Sequence, residues 1–166
     1  MPQFWIDSNS LITPCRGPYR FEVVPQYWDF LKEKAEQGMI GSPELVLDIE
    51  LTSTDPSKTD DLERWAKRLR GILFLPPDGP TQVKYQDVVQ YVQTNPRFKQ
   101  HWIAPFLDKA DPWLVAYAAT LGGRIVTFEK PEPLSTRPKV PDIAKYFGVH
   151  CVNVWDMLAE LGFKAS

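Results

Sequence analysis

Short apolar runs, each about the length of a strand, divide this chain into stretches with helical spacing. The run RIVTF at residues 124–128 follows two glycines and is nearly continuous in apolar character, which is typical of a parallel strand covered on both faces. A similar run, QFWI, occupies residues 3–6. Because such runs alternate with helical patterns, the sequence predicts an α/β fold in which helices flank a mostly parallel sheet on both faces.

The remaining elements follow from apolar spacing and from residues that start or stop helices. Helices are predicted near residues 25–37, 43–49, 62–69, 81–94, 98–107, 112–121 and 141–147 and from residue 155, and strands near 39–42, 71–75 and 150–154. Ser42 and Asp111 are each predicted to cap a helix, since a proline follows each of them. Residues 52–61 and 130–141 are polar or rich in proline and are expected to form loops.

Composition is typical of a globular protein. With 166 residues, of which 43% are hydrophobic, the chain is long enough for a single domain, residues 1–166, with a sizeable core. No apolar run has membrane-spanning length, and the first residues lack the pattern of a signal peptide. Cys15 and Cys151 are isolated, so we expect a cytoplasmic protein with free thiols. Since the net charge is -2, any nucleic acid must bind a local basic patch.

Acidic residues lie next to the predicted strands, at the edge where open α/β sheets bind their ligands. Asp7 comes directly after the first strand, Glu129 follows the run RIVTF, and Asp111 opens the helix that leads into that run. Asp48 lies on a helix that follows another strand. Carboxylates gathered in one cleft repel one another unless a cation holds them. The pattern therefore predicts a site for Mg²⁺ or Mn²⁺, hard ions that bind oxygen ligands and can activate water against a phosphodiester.

Four segments together resemble a PIN-like domain: FWIDSNSLI, SPELVLDIEL, DKADPWLVAYAATLGGRIVTFEK and KVPDIAKYFGVHCVNVWDML. They are similar to a compact bacterial PIN-like family of uncharacterised function that is related to VapC toxins, and the resemblance spans nearly the whole chain. The third segment is the most specific, because an Asp opens an alanine-rich helix, two glycines follow, and a strand ends in Thr-x-acid. The resemblance implies a doubly wound, mostly parallel sheet and an RNA-cleaving site that depends on Mg²⁺ or Mn²⁺.

The resemblance also implies roles for particular residues. Asp7, Asp111 and Glu129 match acids that bind the metal and act in catalysis. Asn9 and Thr127 match small polar residues that orient the ligands and water beside them. Glu129 stands where the family has Asp, so its side chain is longer by one methylene.

The fourth acid of the site has two candidates, Asp48 and Glu50. Spacing from Ser42 favours Asp48, whereas Glu50, which is followed by Leu51, matches the family's Glu in chemistry. On an α-helix the two side chains point about 200° apart, so only one can face the site. Asp48 is preferred as the catalytic acid, and Glu50 is placed behind the ligands. Asp108 either supports the ligands in the same way or is solvated.

Basic and aromatic residues are weaker indications of RNA binding. Five cations fall in predicted loops after the acid-bearing elements and could line a phosphate channel: Arg16, Arg20, Lys130, Arg137 and Lys139. For any one of them, ordinary surface charge is the simpler interpretation. Tryptophans could stack on bases, but strand or helix spacing with apolar neighbours favours core packing for Trp5, Trp28, Trp65, Trp113 and Trp155.

Three functional hypotheses follow. The first is a metal-dependent endoribonuclease, the toxin of a toxin–antitoxin pair, with a cognate antitoxin as partner and exposed apolar helices near residues 88–93 and 101–107 for a homodimer. The second is an RNA- or protein-binding module with a weak or inactive metal site, motivated by the exchange of Asp and Glu. The third, a small-molecule phosphatase or nucleotide-binding domain, is disfavoured because the sequence has no glycine-rich phosphate loop.

Overall fold

Five short strands form one sheet in the computed structural model, which describes residues 1–164. The strands are β1 Phe4–Ile6, β2 Ile40–Pro43, β3 Phe74–Leu75, β4 Arg124–Val126 and β5 Cys151–Val152. All neighbours pair in parallel, in the order β3-β2-β1-β4-β5. The predicted α/β fold with a parallel sheet is therefore confirmed.

Helices connect the strands and cover the sheet on both faces. Within residues 1–164 the α-helices are α1 Asn9–Arg16, α2 Pro25–Glu36, α3 Asp61–Arg68, α4 Gly79–Thr94, α5 Gln100–Leu107, α6 Asp111–Leu121, α7 Val140–Tyr146 and α8 Val154–Leu161. A π-helical segment spans Val46–Leu51 and a 3₁₀ turn spans Pro56–Lys58. None of these helices combines the length and apolar character needed to cross a membrane.

The alternation of side chains along β1 and β4 divides the core into two layers. Phe4 and Ile6 pack in a cluster with side chains of α1, α2, α3 and α8. Trp5 and Ile125 point the other way and pack with side chains of α4, α5, α6 and α7. Successive residues of a strand face opposite sides of the sheet, so a run that is apolar at every position is buried on both faces, as the sequence predicts.

Several local expectations are wrong, and each has a physical reason. Ser42 does not cap a helix but lies in β2, where its hydroxyl donates to the carbonyl oxygen of Ile6 at 2.7 Å. Helix α1 is absent from the predicted elements, and its first N–H groups find partners in Asp7 and Ser8. Trp155, which was expected in the core, keeps 40% of its surface exposed at the start of α8.

The helices expected to mediate dimerisation bury several of their apolar side chains within the chain. Val88 and Val92 of α4 are fully buried, and Ile103 and Phe106 of α5 are nearly so. These side chains pack in the same cluster as Leu114 of α6. These apolar side chains of α4 and α5 therefore serve the core, and the homodimer stays a prediction.

The Trp5 side chain requires a glycine on the neighbouring strand. Its indole N–H donates to the carbonyl oxygen of Gly122 at 2.8 Å, and its ring meets Tyr117 edge-on at 5.2 Å between centroids. A Cβ on Gly41 would lie only 2.8 Å from the ring atom Cζ3 of Trp5. Because both the hydrogen bond and the aromatic contact hold the ring in place, it has little room to move aside.

We expect Gly41→Ala to lower the free energy of unfolding by about 1–3 kcal/mol, the usual effect of overpacking a core. Gly79→Ala is the matched control, since a Cβ at that position meets no atom within 4 Å, and it should change stability little. Urea denaturation of both variants measures the difference. Equal midpoints for the two variants would contradict the tight packing inferred for Trp5.

Candidate metal centre

The pairing of β1 with β4 brings together two of the predicted site segments. Ile6 is in register with Val126, and the N–H of Asp7 donates to the carbonyl oxygen of Val126 at 3.1 Å. Asp7 therefore leaves the sheet beside Thr127, at the carboxyl edge of the two central strands. This is the edge at which parallel α/β sheets bind their ligands.

Asp7 is buried and held by the first turn of α1. Only 6% of the residue is exposed, and its Oδ1 accepts a hydrogen bond from the N–H of Ser10 at 2.8 Å. The Ser10 hydroxyl donates to the carbonyl oxygen of Val126 at 3.1 Å, which fixes this turn to β4. Burial raises the pKa of Asp7 to about 6, although hydrogen bonds from Ser10 and Thr127 act to lower it. Asn9 was expected to orient Asp7, but Asn9 is exposed and Ser10 performs that role.

Asp111 is the residue at which the acidic segments converge. It is the first residue of α6, and Ala110 occupies the cap position, so the expected capping role of Asp111 is wrong. Burial, the largest cause, together with the charges of Glu50, Glu129 and Asp7 raises the pKa of Asp111 to about 7, while the charge of Lys109 acts to lower it. Four carboxyl groups from distant parts of the chain thus share one electrostatic environment.

The fourth acid of this group is Glu50, whereas Asp48, the preferred candidate, points to a different partner. Asp48 is exposed and accepts a hydrogen bond from Arg70 at 2.8 Å, and the same guanidinium also holds Glu44 at 2.7 Å. Glu50 lies close enough to Asp111 for its charge to raise the pKa of Asp111. The buried Oε2 of Glu50 has no hydrogen-bond partner within residues 1–164. The π-helical segment carries both residues. Its i→i+5 hydrogen bonds turn successive residues through a smaller angle than an α-helix does.

Glu129 connects the acidic group to α7. Its N–H donates to the Thr127 hydroxyl oxygen at 3.1 Å, and its Oε2 accepts a hydrogen bond from the N–H of Val140 at 2.8 Å. Val140 begins α7, so Glu129 satisfies one of the N–H groups that a helix start leaves unpaired. Thr127 is buried, and its hydroxyl oxygen fixes the backbone of Glu129.

The acids do not form a closed cage. Among residues 1–164, no three Asp, Glu, His or Cys side chains come close enough together to hold a metal ion between them. The three expected ligands are therefore neighbours without being a closed ligand set. Mg²⁺ does not need such a cage, because it commonly binds one or two carboxylates and keeps several waters. The all-oxygen donors, the repulsion at Asp111 and the unpaired oxygen of Glu50 fit a hydrated Mg²⁺ or Mn²⁺ ion.

Cationic side chains border the acids on two sides. Lys109 and Arg137 share a narrow pocket with Asp111 and Glu129, and the Arg137 guanidinium lies 4.8 Å from the centre of the Trp102 ring. Sequence reasoning missed Lys109, although its position two residues before Asp111 offers a simple signal. On the other side, a cavity is lined by both Arg16 and Glu50.

The other predicted supporting residues are dispersed. Lys139 lies 3.9 Å from the carboxylate of Glu132, and Arg20 lines a surface pocket with Asp60. Lys130 is exposed directly after Glu129. Asp108 ends α5 on the surface, where its charge helps to raise the pKa of Tyr85, a shift caused mainly by burial. Within residues 1–164, no hydrogen bond or ion pair joins the Asp108 side chain to the acidic group.

A family model described as a domain of unknown function, DUF4411, matches residues 4–165. The chain belongs to the DUF4411 family. No curated protein and no solved structure matches this DUF4411 chain at a significant level. The family assignment covers all four acidic segments, and it carries no activity with it.

The raised pKa values predict how the stability of this DUF4411 chain depends on pH when EDTA removes divalent ions. Between the ordinary pKa of 3.8 and the raised values of about 6 for Asp7 and about 7 for Asp111, the folded chain binds more protons than the unfolded chain. Stability must therefore fall as pH rises through this range. We expect the melting temperature to drop between about pH 5 and about pH 7.5. The drop should be about 2–4 °C for each kcal/mol lost from the free energy of unfolding.

Two variants test whether the acidic group causes this fall in melting temperature with rising pH. Asp111→Asn should melt at a higher temperature than the wild type at about pH 7.5, because the amide removes a buried charge. Asp29→Asn, an exposed position on α2, should leave the slope unchanged. Hydrogen bonds from side chains lower the pKa of Asp55 and Asp78, so these acids titrate below the window. A melting temperature that rises through the window would contradict the inferred repulsion.

Proposed function

We propose that this chain is a PIN-like, metal-dependent endoribonuclease that hydrolyses RNA phosphodiesters with Mg²⁺ or Mn²⁺. The observation that carries the proposal is the environment of Asp111, where burial and the charges of Glu50, Glu129 and Asp7 act on one carboxyl group. Folding around four repelling acids is costly unless the site binds a cation. The resemblance of four segments to PIN-like domains supports the same conclusion.

Each residue of the site would have its own role in binding the ion or in positioning a ligand. Asp7, Asp111, Glu129 and Glu50 would hold the ion, directly or through water. When bound, the ion supplies Lewis-acid chemistry, which activates water and stabilises charge on the phosphodiester. Ser10 and Thr127 would orient Asp7, and their hydrogen bonds act to lower its pKa against the effect of burial.

Cations beside the acids would position the RNA backbone. Lys109 and Arg137 line the pocket that contains Asp111 and Glu129. The positive charges of these two side chains would therefore attract a phosphate that lies next to the ion. Contacts of this kind orient a nucleic acid without reading its sequence. In keeping with the resemblance to VapC toxins, we propose that a cognate antitoxin protein inhibits the chain by covering this acidic edge.

A second candidate is an RNA- or protein-binding module with weak or no catalysis. One observation favours it: Glu129, which replaces the expected Asp, already uses one carboxylate oxygen to cap α7 through Val140. If that oxygen cannot leave the N–H of Val140, the site has one ligand atom fewer. Cleavage assays separate the two candidates.

The decisive assay compares two acids that lie two residues apart. Glu50→Gln should reduce Mg²⁺-dependent cleavage of total RNA by about 10- to 100-fold, the usual effect of losing a group that supports a metal site. Asp48→Asn, the matched control, should retain activity, because Asp48 pairs with Arg70 on the surface. EDTA and Asp7→Asn should abolish cleavage.

Two results would refute the nuclease. Cleavage that survives both EDTA and Asp7→Asn would come from a different mechanism or a contaminant. RNA binding without cleavage in any divalent ion would favour the second candidate. Equal losses in Glu50→Gln and Asp48→Asn would contradict the assignment of the fourth acid.

Metal binding should also appear as heat stability. A ligand that binds only the folded chain stabilises it by about 2.7 kcal/mol at a hundred times its Kd, so millimolar Mg²⁺ should raise the melting temperature by several degrees at neutral pH. Asp111→Asn should lose most of this gain. An unchanged melting temperature of the wild type in both Mg²⁺ and Mn²⁺ would count against the site.

A further inference from the structure

A groove with a volume of about 550 Å³ opens at the carboxyl ends of β4 and β5. Thr127 and Glu129 belong to its wall, so the groove continues directly from the acidic group. Its far side is formed by the loop before α8 and by Trp155 at the start of that helix. The groove is large enough for a small ligand or for one unit of a polymer.

The most unusual element of the groove is the exposed ring of Trp155. It keeps 40% of its surface in solvent, although tryptophan side chains are highly buried on average. The ring is braced by Phe128, 5.9 Å away between centroids, and by the edge of Tyr19, also at 5.9 Å. A braced and exposed aromatic face beside a groove is suited to stacking with another flat ring.

Cationic side chains flank this aromatic face. Lys130 follows Glu129 directly and Lys145 reaches the groove from α7, and both are exposed. Glu129 and Asp156 lie on the same wall, so the cations balance the local acids and give no excess of positive charge. The groove therefore combines a stacking surface with point contacts for single phosphates.

We propose that this groove binds an unpaired base of single-stranded RNA next to the scissile phosphate, with the base stacked on Trp155 and a neighbouring phosphate near Lys145. The proposal rests on the proposed function, because the acidic group fixes where the scissile phosphate lies. Bases in single strands can turn outward and stack on aromatic rings, whereas paired bases stay inside the duplex. A peptide segment could pair here only with the two-residue edge strand β5, Cys151–Val152, which lines the groove. It is therefore the poorer match, and it becomes an outcome of the test.

The test measures binding without cleavage. Fluorescence anisotropy with a labelled single-stranded RNA of about 12 nucleotides, in EDTA, reports Kd independently of metal and of activity. Trp155→Ala should raise Kd by about 5- to 100-fold, the range for losing one stacked base. Trp155→Phe, which restores a flat ring, should recover most of the affinity. Thermal melting of both variants verifies that they fold.

Matched controls isolate the groove from the rest of the surface. Tyr146→Ala removes another exposed aromatic, one that stacks on Tyr91 outside the groove, and should leave Kd unchanged. Lys145→Ala should reduce the slope of log Kd against log salt concentration by about 0.7, the value for one lost phosphate contact on a single strand. Lys32→Ala, on the exposed face of α2, should not change the slope.

The possible results separate this proposal from the nuclease. Wild-type affinity in Trp155→Ala, or equal affinity of the wild type for duplex RNA, would overturn the proposal and leave a peptide as the candidate occupant. Weakened binding in Trp155→Ala together with rescue by Trp155→Phe would support it, even if no variant cleaves RNA. In that case the nuclease alone would fail.

Discussion

One backbone hydrogen bond, from the N–H of Asp7 to the carbonyl oxygen of Val126, determines much of the local chemistry. It extends the pairing of β1 with β4 by one residue and buries Asp7 at the edge of the sheet. The Ser10 hydroxyl donates to the same carbonyl, so the first turn of α1 depends on it too. The position of the first acid is thus set by the central strands and not by a loop.

The parts of the site that could be predicted are those governed by the geometry of parallel sheets. Carboxyl ends of parallel strands meet at one edge, which is enough to relate Asp7 to Glu129 without any coordinates. The placement of Asp111 follows from the helix that precedes β4. Apolar runs that are buried on both faces also identify the strands and both core layers.

The errors arise where a side chain depends on a partner far away in the sequence. Asp48 and Glu50 cannot be distinguished by spacing alone, because a π-helical segment changes the angle between them and Arg70, 22 residues away, binds Asp48. Trp155 has core-like spacing, yet it is exposed because it begins α8 beside a groove. Ser10 was overlooked because its role requires the carbonyl oxygen of Val126.

The contact between Glu129 and Val140 has a consequence for how sequences of this kind can diverge. The residues at 130–139 lead from the end of β4 to the start of α7, and Glu129, which precedes them, binds Val140, which follows them. Lengthening a loop whose ends are held together costs little conformational entropy, since the cost grows only with the logarithm of the loop length. Insertions between Lys130 and Arg137 can accumulate without displacing either the carboxylate or the helix, so variation in length among relatives should concentrate there.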